Sequence, residues 1–395
     1  MNDSKKSFYL YMIISSCFFS RGIFMLFLAH KGLDIAQIGF YQMLVQISMF
    51  VFEIPTGYIG DKLGKIKSLQ IGTVLLLIHC IILIFTKNPA ILVCSGLLEG
   101  IGYTFRSGSN SALLFELLKK THEEHKYLKI NANLQAAQSI LMGVSISLGA
   151  VMVTYSWNSV YYITALCLGL SLVFLAMVTE PEEALKNDSN REDGILKKLK
   201  GIILYPHVII FIIYIIGFSC FDGIAGSYYN FNQIIFQEKE ISVSLIGIFF
   251  SITYLANSLV YSLTGYISKW LSSKKIIVAM LALQGILLIG LVFVSNKILF
   301  VALSFCCCLI PEMVYILADS IIQMHITSSY RATILSIVSM IGSLISAIAY
   351  SLIGVIMDST GVNHFMLILG LVILGILCCF EVVYLYDKKR IGADC

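Results

Sequence analysis

Six ionisable side chains lie where few are expected, inside long apolar stretches: Arg21, Glu99, Arg106, Asp222, Glu312 and Asp319. A charge at the centre of a bilayer costs at least ~2.5–3.5 kcal/mol on insertion scales, so such residues usually face a cavity, a partner or a ligand. Glu99 and Arg106 are seven residues apart, as are Glu312 and Asp319. On a helix that spacing puts each pair on one face. Burial and a neighbouring cation move a carboxylate's proton affinity in opposite directions. Movement of Arg21 relative to Glu99 or Glu312 would therefore switch proton binding, which is what proton coupling requires. For each residue, a static ion pair that only holds helices together is the competing reading. Weaker candidates are Glu53, one turn before Gly57 beside Pro55, the single histidines His79 and His207, and Glu381, which can snorkel to an interface. Phe218, Phe221, Tyr228, Tyr229 and Phe231 lie near Asp222 in the chain. Aromatics with an acid suit a cationic or amphiphilic organic molecule, and they suit contact with lipid equally well.

The stretches that carry these residues are membrane segments by composition. Of 395 residues, 58% are hydrophobic and 13% charged, and the mean hydropathy is +0.87. A soluble domain runs near 45–50% apolar and about 25% charged. So few charges cannot cover a surface in water, and lipid must solvate much of this chain. Crossing a ~30 Å hydrocarbon core takes roughly 20 apolar residues of helix. Such segments recur at 8–29, 37–59, 68–86, 90–115, 130–154, 159–179, 203–229, 241–267, 276–295, 298–325, 332–357 and 363–386, twelve in all. Arg21 interrupts the first and no small-residue cleavage site follows, so it reads as a retained span, not a signal peptide. Ten of the eleven cysteines fall in apolar segments, without CxxC or zinc-ligand spacing, and read as small packing residues. No metal or cofactor is expected. The basic residues are spread over short loops, which argues against nucleic acid.

Orientation follows from lysine and arginine bias. With the amino terminus in the cytoplasm, 21 basic residues fall on that side and 4 outside; Arg21 and Arg106 lie within spans. Both termini are then cytoplasmic, in the cell membrane. The polar stretch from Glu180 to Gly201 reads as a cytoplasmic linker between six-helix halves, 1–179 and 202–395. The halves are related: 38–67 laid on 246–275 gives eight identities in thirty positions, among them Thr56-Gly57-Tyr58-Ile59 with Thr264-Gly265-Tyr266-Ile267. Internal repeats of this kind mark transporters that rock two bundles around a shared site.

The run Gly57-Tyr58-Ile59-Gly60-Asp61-Lys62-Leu63-Gly64-Lys65-Ile66-Lys67 resembles the signature loop of the major facilitator superfamily, G-x-[LI]-[AG]-D-[RK]-x-G-[RK]-x-[RK]. It stands between the second and third spans, where that family places it, and the second copy keeps Gly265, Leu271 and Lys275. With twelve spans and a central linker, the resemblance covers essentially the whole chain. It implies an all-α membrane protein of two pseudo-symmetric six-helix bundles. It also implies that helices one, four, seven and ten line the central cavity, the helices on which the six charges fall. Asp61 is expected to latch the halves on the cytoplasmic side against the helix that begins near Arg331, and Lys65 to pair with Glu116. Gly57 and Gly64 let helix ends approach and the chain turn. A plain basic loop serving only the charge bias is the alternative.

Two departures qualify the resemblance. Many proton-coupled members carry an arginine before a Gln-Gly pair in helix four; here the string is Gly96-Leu97-Leu98-Glu99-Gly100. Exporters often carry Gly-Pro in helix five, and this segment has Gly143 and Gly149 without proline. Ser107–Leu114 is similar to a stretch in bacterial efflux permeases. The resulting expectation is a monomeric secondary transporter exporting a small amphiphilic compound in exchange for protons. Alternatives are nutrient uptake or movement of a lipid-linked substrate on the same fold, or a receptor or scaffold that does not transport. No Walker loop, nucleophile elbow or HExxH is present, so no enzyme is expected.

Overall fold

The computed structural model describes residues 2–179, 208–268, 272–324 and 331–391. The expected linker, 180–201, lies outside them, as does His207. Among the described residues there is no strand, and the described parts of the apolar stretches are predominantly helical. Lipid offers no hydrogen bonds, so a helix, which satisfies its own backbone, is what an apolar segment must form there.

In chain order the helices are α1 (Asn2–Ile14), α2 (Phe24–His30), α3 (Ile35–Leu63), α4 (Lys65–Phe85), α5 (Pro89–Lys119), α6 (Tyr127–Met152), α7 (Ser159–Ala176), α8 (Val208–Glu238), α9 (Val243–Ile267), α10 (Ser273–Leu291), α11 (Lys297–Met324), α12 (Arg331–Thr360) and α13 (Val362–Ile391). Eight of them, namely α3, α4, α6, α7 and α10 to α13, contain a window long and apolar enough to cross a membrane. Large apolar side chains such as Leu166, Val173, Ile286 and Leu352 are more than half exposed. On this scale such exposure suits lipid, not water.

The first expected span is not one helix. It breaks after Ile14 and resumes through a 3-10 turn, Arg21–Ile23, into α2. Ser15 and Ser16 turn their hydroxyls back on the carbonyls of Met12 (3.3 Å) and Ile13 (2.6 Å). Serine competes in this way with the helix's own hydrogen bonds. The backbone groups freed at the break find side chains from other helices. Arg106 Nη2 donates to the Ser15 carbonyl (3.3 Å) and hydroxyl (2.8 Å), Gln138 Nε2 donates to Met12 O (2.8 Å), and Phe19 N–H donates to Thr164 Oγ1 (3.3 Å). A broken helix at membrane depth is tolerated where neighbours re-satisfy it in this way.

Helix ends elsewhere follow local chemistry. Asp34 and Gln37 form a capping box that starts α3, and Asn88 caps α5 ahead of Pro89. Gly64, at φ +97°, closes α3 and opens α4 without a connecting loop.

The chain divides into two compact units, Met1–Arg191 with Ile241–Leu255, and Glu192–Glu240 with Ala256–Cys395. In the first, α5 packs most closely on α3 and α4. A Cβ at Gly96 would fall 2.8 Å from the Tyr41 carbonyl oxygen, and one at Gly100 would fall 2.3 Å from that of Val45. In the second, α8 packs on α12 and α10 on α13. There a Cβ at Gly370 would fall 2.9 Å from the Gly285 carbonyl oxygen.

Candidate functional site

In the first unit the site is built on α5. Gly96 and Gly100 bring the α5 backbone against α3, and that approach sets Glu99 beside Tyr41. The Tyr41 hydroxyl donates to Glu99 Oε2. The Tyr41 hydroxyl oxygen also stands 3.2 Å from His79 Nε2 on α4. Tyr41 is 0% exposed and His79 5%, whereas Glu99 is half-buried. Tyr103, one turn beyond Glu99, lies close enough to interact with it, and both Arg21 and Arg106 lie close enough to act on Tyr103 electrostatically. Arg21 is exposed and Arg106 half-buried, its guanidinium 6.0 Å from the centre of the Tyr11 ring. Three of the six expected residues, Arg21, Glu99 and Arg106, thus share one polar neighbourhood. Arg106 has a structural task there as well, since it satisfies the break after α1.

The other three residues come together in the second unit. Glu312, on α11 directly after Pro311, accepts a hydrogen bond from Asn257 Nδ2 at 3.2 Å. Asp222, on α8, lies near enough to interact with Glu312 through space. Tyr315 stands in the field of Asp319, Asp222 and Glu312 and is 58% exposed. The result is an accessible, acidic, hydrogen-bonding surface.

Most of the aromatics near Asp222 do not belong to it. Phe218 packs with Tyr214 and Phe380, and Phe231 with Tyr350 and Phe365. Tyr228 is buried and donates to Ser304 Oγ at 3.2 Å. These rings fill the core of the unit. The Asp222 side chain leaves the helix on a different, exposed face.

The signature loop forms the junction of α3 and α4. Asp61, in the last turn of α3, is ion-paired with Lys65, the first residue of α4, across Gly64. Gly60 rests against Ser68 and Ser109, whose hydroxyls are 3.0 Å apart, and Ser68 donates to the Phe105 carbonyl at 2.9 Å. The loop is thereby buttressed on α5. Glu116 lies half-buried near the end of α5, and Gly57 faces open space on α3. Arg331 is the first described residue of α12, so the expected start of that helix lies at the edge of the described residues.

Tyr41, Tyr103, Asn257 and Tyr315 were not among the expected site residues, and His79 stood there only as a weaker candidate. Tyr103 and Tyr315 follow Glu99 and Glu312 by four and three positions, so helical spacing signals both. Tyr41, His79 and Asn257 arrive from other helices; His79 is marked only as a single histidine in an apolar run, and nothing local marks Tyr41 or Asn257. Among the described residues no group of His, Cys, Asp and Glu could hold a metal ion, and the ten described cysteines are free. A hollow of about 220 Å³ beside Glu238, Lys239, Asn363 and His364 stands apart from all these residues.

Comparison with known proteins supplies the wider setting. The model of the Major Facilitator Superfamily matches residues 10–350 and 223–392. No curated protein matches the sequence. Among solved structures, the nucleoside transporter NupG is 12% identical, with a TM-score of 0.76 over 97% of this chain and 99% of that one. A D-xylose-proton symporter is 15% identical, with a TM-score of 0.73 over 95% and 96%. A POT family transporter in complex with a thioalcohol-conjugated peptide is 15% identical, with a TM-score of 0.68 over 97% and 95%. At these identities the likeness is one of fold.

Proposed function

The chain belongs to the Major Facilitator Superfamily, and on that premise we propose that it is a proton-coupled secondary transporter of a small polar organic solute, working by alternating access. It is a multi-pass membrane protein and not an enzyme. The observation that carries the proton coupling is Glu99, a carboxylate bonded to the Tyr41 hydroxyl in a neighbourhood with Tyr103 and two arginines. A carboxylate so placed binds or releases a proton according to how near the guanidinium groups stand. We assign coupling to Arg21, Glu99 and Arg106, and solute recognition to Asp222, Glu312 and Asp319 with Asn257 and Tyr315. Gly57, Asp61, Gly64, Lys65 and Glu116 are assigned to the conformational cycle, and the moving bodies are taken as 1–179 and 202–395. Protons and solute are the partners, and both termini are placed in the cytoplasm of a cell-membrane protein.

The direction favoured is uptake by symport. The amphiphilic character of the expected solute drew on the aromatics around Asp222, and those rings are largely spent on core packing. What remains accessible is carboxylate, amide and phenol, which favours hydrogen-bonding solutes. The structures similar to this chain include a nucleoside transporter, a sugar-proton symporter and a peptide-bound transporter, and those chemistries define the first solutes to try. The test is flux in proteoliposomes under an imposed pH gradient, screened over nucleosides, pentoses, short peptides and one amphiphilic cation. Accumulation of a polar solute with inward protons, reduced roughly tenfold or more in Glu99→Gln, supports the reading. Gradient-driven extrusion of the amphiphile restores drug antiport, and absence of any solute flux removes transport altogether.

A further inference from the structure

We propose that the proton site of the first unit is not a lone carboxylate but a three-residue relay, Glu99–Tyr41–His79, with His79 as its inner terminus. The inference rests on the proton-coupled reading and adds two residues from other helices to it. Its basis is geometric. One buried phenol oxygen, that of Tyr41, donates to Glu99 and at the same time lies 3.2 Å from His79 Nε2. Glu99, half-buried, is the member reached from accessible space, while Tyr41 and His79 sit in the dry interior at 0% and 5% exposure. A histidine that merely filled space between α3, α4 and α5 would not need its ring nitrogen aimed at a phenol already committed to a carboxylate. The other ring nitrogen, Nδ1, makes no well-formed hydrogen bond, and the backbone of Ser95 lies beside it. The imidazole therefore has a second buried position able to hold a proton.

The transfer balances as follows. With Glu99 protonated and His79 neutral with its hydrogen on Nδ1, the Glu99 O–H points at the Tyr41 oxygen and the Tyr41 O–H points at Nε2. A concerted shift breaks the Glu99 O–H bond and forms a new Tyr41 O–H bond. It also breaks the original Tyr41 O–H bond and forms Nε2–H. Glu99 ends as carboxylate, Tyr41 is chemically unchanged, and His79 ends as imidazolium with a hydrogen on each ring nitrogen. The titratable or charged groups around the trio are Arg21 on the 3-10 turn, Cys80 on α4, Tyr103 and Arg106 on α5, and Tyr161 on α7. None of them interrupts the line from carboxylate to imidazole. Approach of either arginine to Glu99 favours the second state, and withdrawal favours the first.

Groups that share a proton titrate as a unit, and the experiment reads that property. The intact protein is labelled with 15N-histidine. The His79 resonance is assigned by its loss in His79→Gln, and the Glu99 carboxyl band in the infrared by its loss in Glu99→Gln; both are followed against pH without added solute. In the wild type the two signals are expected to change over the same pH interval. In Tyr41→Phe, which keeps the ring and removes the bridge, their midpoints should separate by at least about one pH unit, a tenfold difference in proton distribution. Separate midpoints in the wild type, or no effect of Tyr41→Phe in a variant that elutes as a single species, overturn the relay. Arg21→Gln provides a second perturbation that leaves the trio's packing alone: it should move both midpoints together, and displacement of one alone counts against the relay. If the midpoints coincide but no flux in the solute screen responds to a pH gradient, the coupling reading fails and the relay stands. The reverse result sinks the relay only.

Discussion

Lys5, Glu123 and Lys126 illustrate how much one side chain can reveal about conditions. Glu123, in the connection between α5 and α6, is hydrogen-bonded and ion-paired with Lys5 of α1 and ion-paired with Lys126 at 2.9 Å. The two ammonium groups, Lys5 foremost, hold its carboxyl well below the usual 4.5, at about 2. A carboxylate with a depressed folded-state pKa contributes stability above its ordinary value and loses it as pH falls toward the lowered one. The contact therefore favours the folded state at neutral pH and fades between about pH 4.5 and about pH 2. The melting temperature of the wild type should fall toward that of Glu123→Gln across this window, and equal melting temperatures at neutral pH would show that the pair contributes nothing. At Asp61, neutralisation to Asn removes the ion pair with Lys65. Gradient-driven flux should drop by roughly tenfold while equilibrium binding of the same solute stays within about twofold. Loss of binding with normal flux would move Asp61 out of the cycling role.

At the scale of the element, the informative features are a break and a stripe of glycine. The first membrane segment is divided where Ser15 and Ser16 bond to their own helix, and Arg106 closes the wound from α5. Arg106→Leu should therefore cost stability, by roughly 1–3 kcal/mol for the carbonyl and hydroxyl left unpaired, besides any loss of flux. A transport defect with unchanged melting temperature would assign Arg106 to coupling alone. Gly100 tests the α3–α5 approach that delivers Glu99 to Tyr41. An added Cβ would stand 2.0 Å from Ser48 Oγ and 2.3 Å from Val45 O, so Gly100→Ala should cost about 1–3 kcal/mol through forced displacement of the helices. Gly169→Ala on α7 meets nothing within 4 Å and serves as the control, expected neutral or slightly stabilising. Equal melting temperatures for the two variants would contradict the close approach.

For the whole molecule, the prediction concerns topology. The bias of 21 basic residues against 4 predicts both termini on the same, cytoplasmic side. Tags at the two ends should be digested by protease in inverted vesicles and protected in right-side-out ones. Protection of one tag alone would require an odd number of crossings and break the twelve-segment assignment.

Helix positions, the membrane setting and the family were legible from the chain itself, because each depends on information local in sequence. Apolar runs of about 20 residues form helices in lipid wherever they occur, and the loop Gly57–Lys67 carries its own signature. The six charges were equally visible, since an ionisable residue in an oily run stands out without any knowledge of its neighbours. Only the tertiary structure decided what those charges touch. Tyr41 and His79 look like ordinary interior residues until the Gly96 and Gly100 contacts bring α5 onto α3 and close the line to Glu99. The break after Ile14, hidden in a hydropathy profile, exists because Arg106, Gln138 and Thr164 arrive from three other helices to satisfy it. The aromatics of α8, ambiguous in the sequence, became mostly core because α12 and α13 cover them. Local polarity sets which segments become helices; hydrogen bonds and packing between segments distant in the chain set which side chains meet.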